Sequence, residues 1–84
     1  MILTARNAKQ LGEAIRRTRK KKGLTQKDIS ARTNLRPATI SSLENGDAGT
    51  QLKTIFRVLE ALELEFELMP RQKPGSVQLE DLLQ

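Results

Sequence analysis

Apolar side chains recur along this chain at two periods, and the change between them divides it. As far as Leu62 they return every three or four residues, the repeat of a helix face; from Leu64 they alternate, Leu64, Phe66 and Leu68 against Glu65 and Glu67, the repeat of a half-buried strand. Asn7 with Gln10 caps a first helix that runs to Lys22, with Leu11, Ile15 and Thr18 inward and Gly23 as its stop. Thr50 caps a last one, whose Leu52, Ile55, Phe56, Leu59 and Leu62 form a core stripe.

The segment between them, Leu24 to Gly46, predicts two short helices meeting at a tight turn. Thr25 and Asp28 have the spacing of a capping box, with an acid in the positively polarised first turn and Leu24 placed as a hydrophobic staple. Ile29, Ala31, Ala38 and Ile40 are small or apolar where the helices approach each other, and Leu35 lies in the turn. Asn34 tolerates the left-handed backbone that such a turn requires. Pro37 suits the first position of the second helix, where its missing amide hydrogen is not needed, and Gly46 ends that helix. The fold class is therefore mainly α: four or five helices in a small bundle with a helix-turn-helix, plus one C-terminal β-strand that ends at Pro70. Residues 1–69 make one domain, and 70–84, with Pro74-Gly75-Ser76 and then VQLEDLLQ, make a flexible tail. There is no internal repeat.

Charge sharpens the picture once it is split along the chain. Residues 1–57 hold 13 Lys/Arg against 4 Asp/Glu, a net +9, whereas residues 58–84 hold 2 against 6, a net −4. One end is suited to phosphate and the other is not. With 84 residues and no Cys or His, the chain has a modest core and lacks zinc-finger ligands, a thiol nucleophile and imidazole acid–base chemistry. No convergent carboxylate pair replaces them, so neither an enzyme nor a cofactor or metal site is expected. No apolar run reaches the length of a membrane span, and the amino terminus lacks the apolar core of a signal peptide. A cytoplasmic, nucleoid-associated protein is expected.

The motif resembles the helix-turn-helix of the Xre/Cro family, in which threonine-glutamine opens one helix, T-I-S lies in the next and L-E-N-G closes it. The corresponding residues are Thr25-Gln26, Thr39-Ile40-Ser41 and Leu43-Glu44-Asn45-Gly46, and the likeness covers roughly residues 7 to 62. Within that family the chain is most similar to the HipB-type antitoxins, autorepressors paired with a HipA-like kinase toxin. Two departures from the commoner family pattern support that subgroup: Arg36 stands where a serine or threonine usually caps the recognition helix, and the chain continues past the fourth helix into LELEFELMP. The resemblance also implies an ion pair between Arg19 and Glu44, locking the first helix to the recognition helix.

For DNA contacts, chemistry and family position give one set. Gln26, at the start of the motif's first helix, can donate to a phosphate together with the helix amino terminus, and Lys27 is counted beside it. Asn45 resembles a further phosphate contact of the family. Arg36 reaches a guanine bidentately or a phosphate. Pro37 and Ala38 stand where family members often carry glutamines, so direct readout leans on Arg36, Thr39, Ser41 and Ser42, with Ala38 touching only a thymine methyl. Thr39 and Ser41 have the alternative of bonding back to their own helix.

An isolated strand leaves its backbone groups unpaired, so Leu64, Phe66 and Leu68 are expected to build an intermolecular β-ribbon in a homodimer, as the resemblance also implies. Two recognition helices roughly 34 Å apart then match a palindromic operator in double-stranded DNA. The expected function is a sequence-specific repressor that also serves as the antitoxin of a HipA-like kinase toxin. A stand-alone, prophage-like Xre-type regulator is the alternative, and a pure protein-interaction module is a third. In the antitoxin reading, the tail's Leu79, Glu80, Asp81, Leu82 and Leu83 can order against the partner as a short amphipathic segment.

Overall fold

The computed structural model describes residues 3–71 of the chain, which contain four helices: α1 (Ala8–Lys21), α2 (Gln26–Thr33), α3 (Pro37–Glu44) and α4 (Leu52–Ala61). Local chemistry fixes where they begin. Asn7 Oδ1 accepts the Gln10 amide at 2.8 Å to open α1. At α2 the capping box is complete: Thr25 Oγ1 accepts the Asp28 amide at 3.0 Å, and Asp28 Oδ2 accepts the Thr25 amide at 2.8 Å. That returned bond from the Thr25 backbone holds the Asp28 carboxyl below its ordinary range. Pro37 occupies the first turn of α3, and Arg36 precedes it with no side-chain cap. At α4 the residue in the cap position is Gln51 rather than Thr50, and it makes no side-chain cap bond. Thr50 instead donates its hydroxyl to the Asp47 carbonyl at 3.0 Å, inside the preceding loop.

Three helices stop in the same way. After α1, the Gly23 amide bonds to the Lys20 carbonyl and the Leu24 amide to that of Arg19; Gly46 with Asp47 and Glu63 with Leu64 repeat the pattern after α3 and α4. The reversing residue has φ +72 at Gly23, +87 at Gly46 and +58 at Glu63, so α4 ends on a left-handed non-glycine residue. Asn34, at φ +60, turns the chain out of α2. The α2–α3 turn is closed by its own side chains, with the Ser30 hydroxyl on the Leu35 carbonyl and Thr33 Oγ1 accepting the Leu35 amide at 3.3 Å.

The helix α3 packs against both α1 and α2, and α4 closes on α2. The core consists of Ile15, Ile29, Ile40, Leu43, Val58, Leu59 and Leu62, with Leu11, Leu24, Leu35, Ile55 and Leu64 against it. Two residues expected in this core are outside it: Leu52 is 61% and Phe56 49% exposed, and Val58 takes the buried place instead. The physical reason is the width of the apolar arc on α4, which is broader than the described residues cover.

No β-strand occurs among the described residues, and 64–71 carry no regular secondary structure. A strand is defined by its ladder, and the described residues offer this segment no partner. Leu64 is half-buried on the core, Phe66 meets Phe56 edge-to-face with ring centroids 5.3 Å apart, and Leu68 is 97% exposed. The tail beyond Arg71, with the amphipathic segment expected at Leu79 to Leu83, lies outside the described residues.

A close approach between elements occurs at Gly12, in the middle of α1. A Cβ there would lie 2.5 Å from the Leu43 carbonyl oxygen and 2.6 Å from that of Glu44, both backbone atoms. Gly→Ala inside a helix ordinarily stabilises by about 1 kcal/mol. At this position the sign reverses: Gly12→Ala is expected to cost roughly 1–3 kcal/mol by overpacking, read as a lowered thermal midpoint.

Candidate nucleic-acid interface

The recognition surface rests on a buried charged node where α1, α2 and α3 meet. Arg19 comes from the last turn of α1 and is 7% exposed; Glu44 ends α3 and is 5% exposed. Arg19 Nε donates to Glu44 Oε2 at 2.6 Å and Nη2 to Oε1 at 3.0 Å, a fork that satisfies both carboxylate oxygens. A third donor, Nη1, reaches the Leu24 carbonyl at 2.8 Å and ties the α1–α2 loop to the same point. The bond to Glu44 raises the pKa of Arg19 against the opposing effect of burial. Among the described residues no buried side-chain polar atom lacks a partner.

Gln26, from the first turn of α2, donates Nε2 to Glu44 Oε1 at 3.1 Å. The sequence reading assigned this side chain to a phosphate and missed the bond. Glu44 accepts from one amide hydrogen, leaving the second available. The signal that could have revealed the bond is the family pairing itself, because the motif brings the start of α2 beside the end of α3.

Along α3, Ile40, Leu43 and Glu44 turn inward, while Arg36, Ala38 and Ser42 are exposed and Thr39 and Ser41 are half-buried. Hydroxyls in helices often bond back one turn, as Thr18 does to the Ala14 carbonyl at 2.9 Å and Thr33 to that of Ile29 at 2.7 Å. Those of Thr39, Ser41 and Ser42 make no such bond among the described residues. Lys27 is exposed near the start of α2 and Asn45 just past the end of α3. Gly46 supports that corner: a Cβ there would lie 2.8 Å from Lys9 Cα, so the α3 stop packs directly on α1. The residues expected to meet DNA thus comprise one guanidinium, one ammonium, two amides and three hydroxyls, with no carboxylate among them.

The helix-turn-helix family matches residues 15–69. The chain belongs to the Xre-type helix-turn-helix family. It is similar to the HipB antitoxins within it: Antitoxin HipB of Escherichia coli O6:H1 is 33% identical over 75 residues, which span 87% of this chain and 80% of that protein. The solved HipB–O4 20mer complex superposes with a TM-score of 0.80 at 31% identity, covering 84% of this chain and 100% of that one. The HipB chain of the HipA–HipB–O2–O3 complex gives a TM-score of 0.79 at 31% identity with the same coverage. The element described here is therefore a DNA-binding helix-turn-helix.

The buried pair is testable apart from DNA. Removing one partner strands a buried charge, so Glu44→Ala or Arg19→Ala is expected to lose roughly 3–5 kcal/mol. Replacing both with methionine is expected to cost much less than the two single changes added together. Urea unfolding of the four proteins measures the difference, and additive losses would show that the two charges are not coupled.

Proposed function

We propose that this chain is an operator-binding repressor that works as a homodimer and serves as the antitoxin of a HipA-like kinase. The observation that carries the DNA half is the outer side of α3 and its cap, where Arg36 is exposed and three hydroxyls have no hydrogen bond among the described residues. In this reading Arg36, Thr39, Ser41, Ser42 and the methyl of Ala38 meet base edges, while Gln26, Lys27 and Asn45 hold phosphates on either side. With Pro37 and Ala38 unable to donate from their side chains, Arg36 carries most of the discrimination. Arg36→Ala is expected to lose about 1–3 kcal/mol on the operator and to relax preference at one base pair. Gln26→Ala weakens operator and random duplexes alike. Titration of both duplexes at fixed salt separates the two effects. An unchanged operator-to-random ratio for Arg36→Ala would remove its base-reading role.

The antitoxin half is supported by likeness along most of the chain to a protein solved together with HipA. A stable complex with a HipA-like kinase is expected when this chain and such a kinase are co-expressed and purified through a tag on either one. If no kinase of that type is retained, the stand-alone regulator becomes the better reading. Truncation after Pro74 asks separately whether the tail takes part, since unchanged affinity for the kinase would leave it without a role there.

A further inference from the structure

Helix α1 carries cations that the fold itself does not use. Lys9, Arg16, Arg17, Lys20 and Lys21 are exposed, and among the described residues none of the five is held in an ion pair or a side-chain hydrogen bond. The helix dipole accounts for Lys20 and Lys21, which lie in the last turn, but not for the others. Lys9 stands in a first turn that contains no acid, where the amide end of the helix is already positively polarised. Arg16 with Lys20 and Arg17 with Lys21 are like charges one turn apart, an unfavourable arrangement in a helix by itself.

The packing of α1 shows where these charges sit. The helix meets Gly46 at Lys9, the carbonyls of Leu43 and Glu44 at Gly12, and the Leu24 carbonyl and Glu44 carboxylate at Arg19. Gln26 bonds to that same carboxylate, so α1 runs from beside Asn45 to beside Gln26, the two amides assigned above to phosphates. At about 100° per residue, Arg16, Lys9 and Lys20 stand roughly 40°, 60° and 80° round from Gly12, on the side away from buried Ile15. They form a ridge about 16 Å long beside the α1–α3 seam. One strand of B-DNA carries a phosphate about every 3.4 Å of axis, so several fall within that length. Glu13, the one acid of α1, borders the ridge at roughly 100°, whereas Lys21 lies on the far side at roughly 180°.

We propose that Lys9, Arg16 and Lys20 extend the DNA interface beyond the helix-turn-helix, as a sequence-independent surface for the backbone alongside Gln26 and Asn45. The inference rests on the operator-binding reading above and adds to it a surface on α1. All three residues are exposed, as are Glu13 and Lys21, so substitutions at these positions leave the fold intact.

The test titrates the full-length chain, over a range of salt, into a labelled duplex of random sequence and into one taken from immediately upstream of its own reading frame. Lys9→Gln, Arg16→Gln and Lys20→Gln are each expected to weaken both duplexes by the same factor, roughly two- to ten-fold, and to lower the log–log salt slope by about 0.9. Glu13→Gln is expected to tighten both. Lys21→Gln makes the same change in net charge on the far side of the helix and is expected to leave the slope as it is. A triple glutamine variant with the wild-type slope, or a Lys21→Gln loss equal to that of Arg16→Gln, would overturn the ridge. A shift in the ratio between the two duplexes would overturn its independence of sequence. A wild-type chain that binds neither duplex would overturn the repressor reading and the ridge together.

Discussion

The geometry of the DNA-facing side depends on one buried ion pair. Arg19 and Glu44 are 25 residues apart, and their fork joins the end of α1 to the end of α3, while the remaining Arg19 donor and Gln26 attach the start of α2. Such a pair is a poor way to gain stability, because desolvating two charges offsets most of their attraction. It is a good way to gain precision. A carboxylate with three donors in fixed directions tolerates little displacement, whereas aliphatic contacts slide. The three elements that carry the proposed DNA contacts and their support are thereby held at one point.

Gly12 adds a steric constraint to the electrostatic one. The backbone of α1 touches the Leu43 and Glu44 carbonyls, which belong to the residues forming the floor of the recognition helix. The distance between the helices is thus limited from below by contact and from above by the ion pair. A helix of only eight residues, with no basic side chain in its last turn and no side-chain cap at its first, receives its rigidity from this support.

Much of this was legible in the sequence because it is written in short-range chemistry. The capping box of Thr25 and Asp28, the left-handed Asn34, Pro37 at the first turn and the glycine stops each involve residues within a few positions of one another. What stayed hidden depends on the far side of a contact. The spacing of Leu52 and Phe56 is the same whether the stripe faces the chain's own core or another molecule, and Val58 was overlooked because the buried arc lies further round α4. Gly12 reads as a weak helix former until the carbonyls of α3 are placed against it. The alternation at Leu64, Phe66 and Leu68 is plain, yet a ladder needs a second strand that the described residues do not hold. The set proposed to meet DNA is named from residue type and position alone, and the bond from Gln26 to Glu44 escapes such a reading, since it joins two elements across 18 residues.

The three repeated helix stops bear on how the chain reaches this shape. Each closes with bonds spanning three to five residues, the α2–α3 turn is closed by its own hydroxyls, and each helix is short. Little loop-closure entropy must therefore be lost before contacts begin to form, and small helical domains of this kind fold on roughly microsecond to millisecond timescales. The meeting of two folded copies is a bimolecular step whose rate falls with dilution. In the proposed homodimer, that encounter rather than folding sets how soon a newly made chain becomes competent to hold a two-fold site.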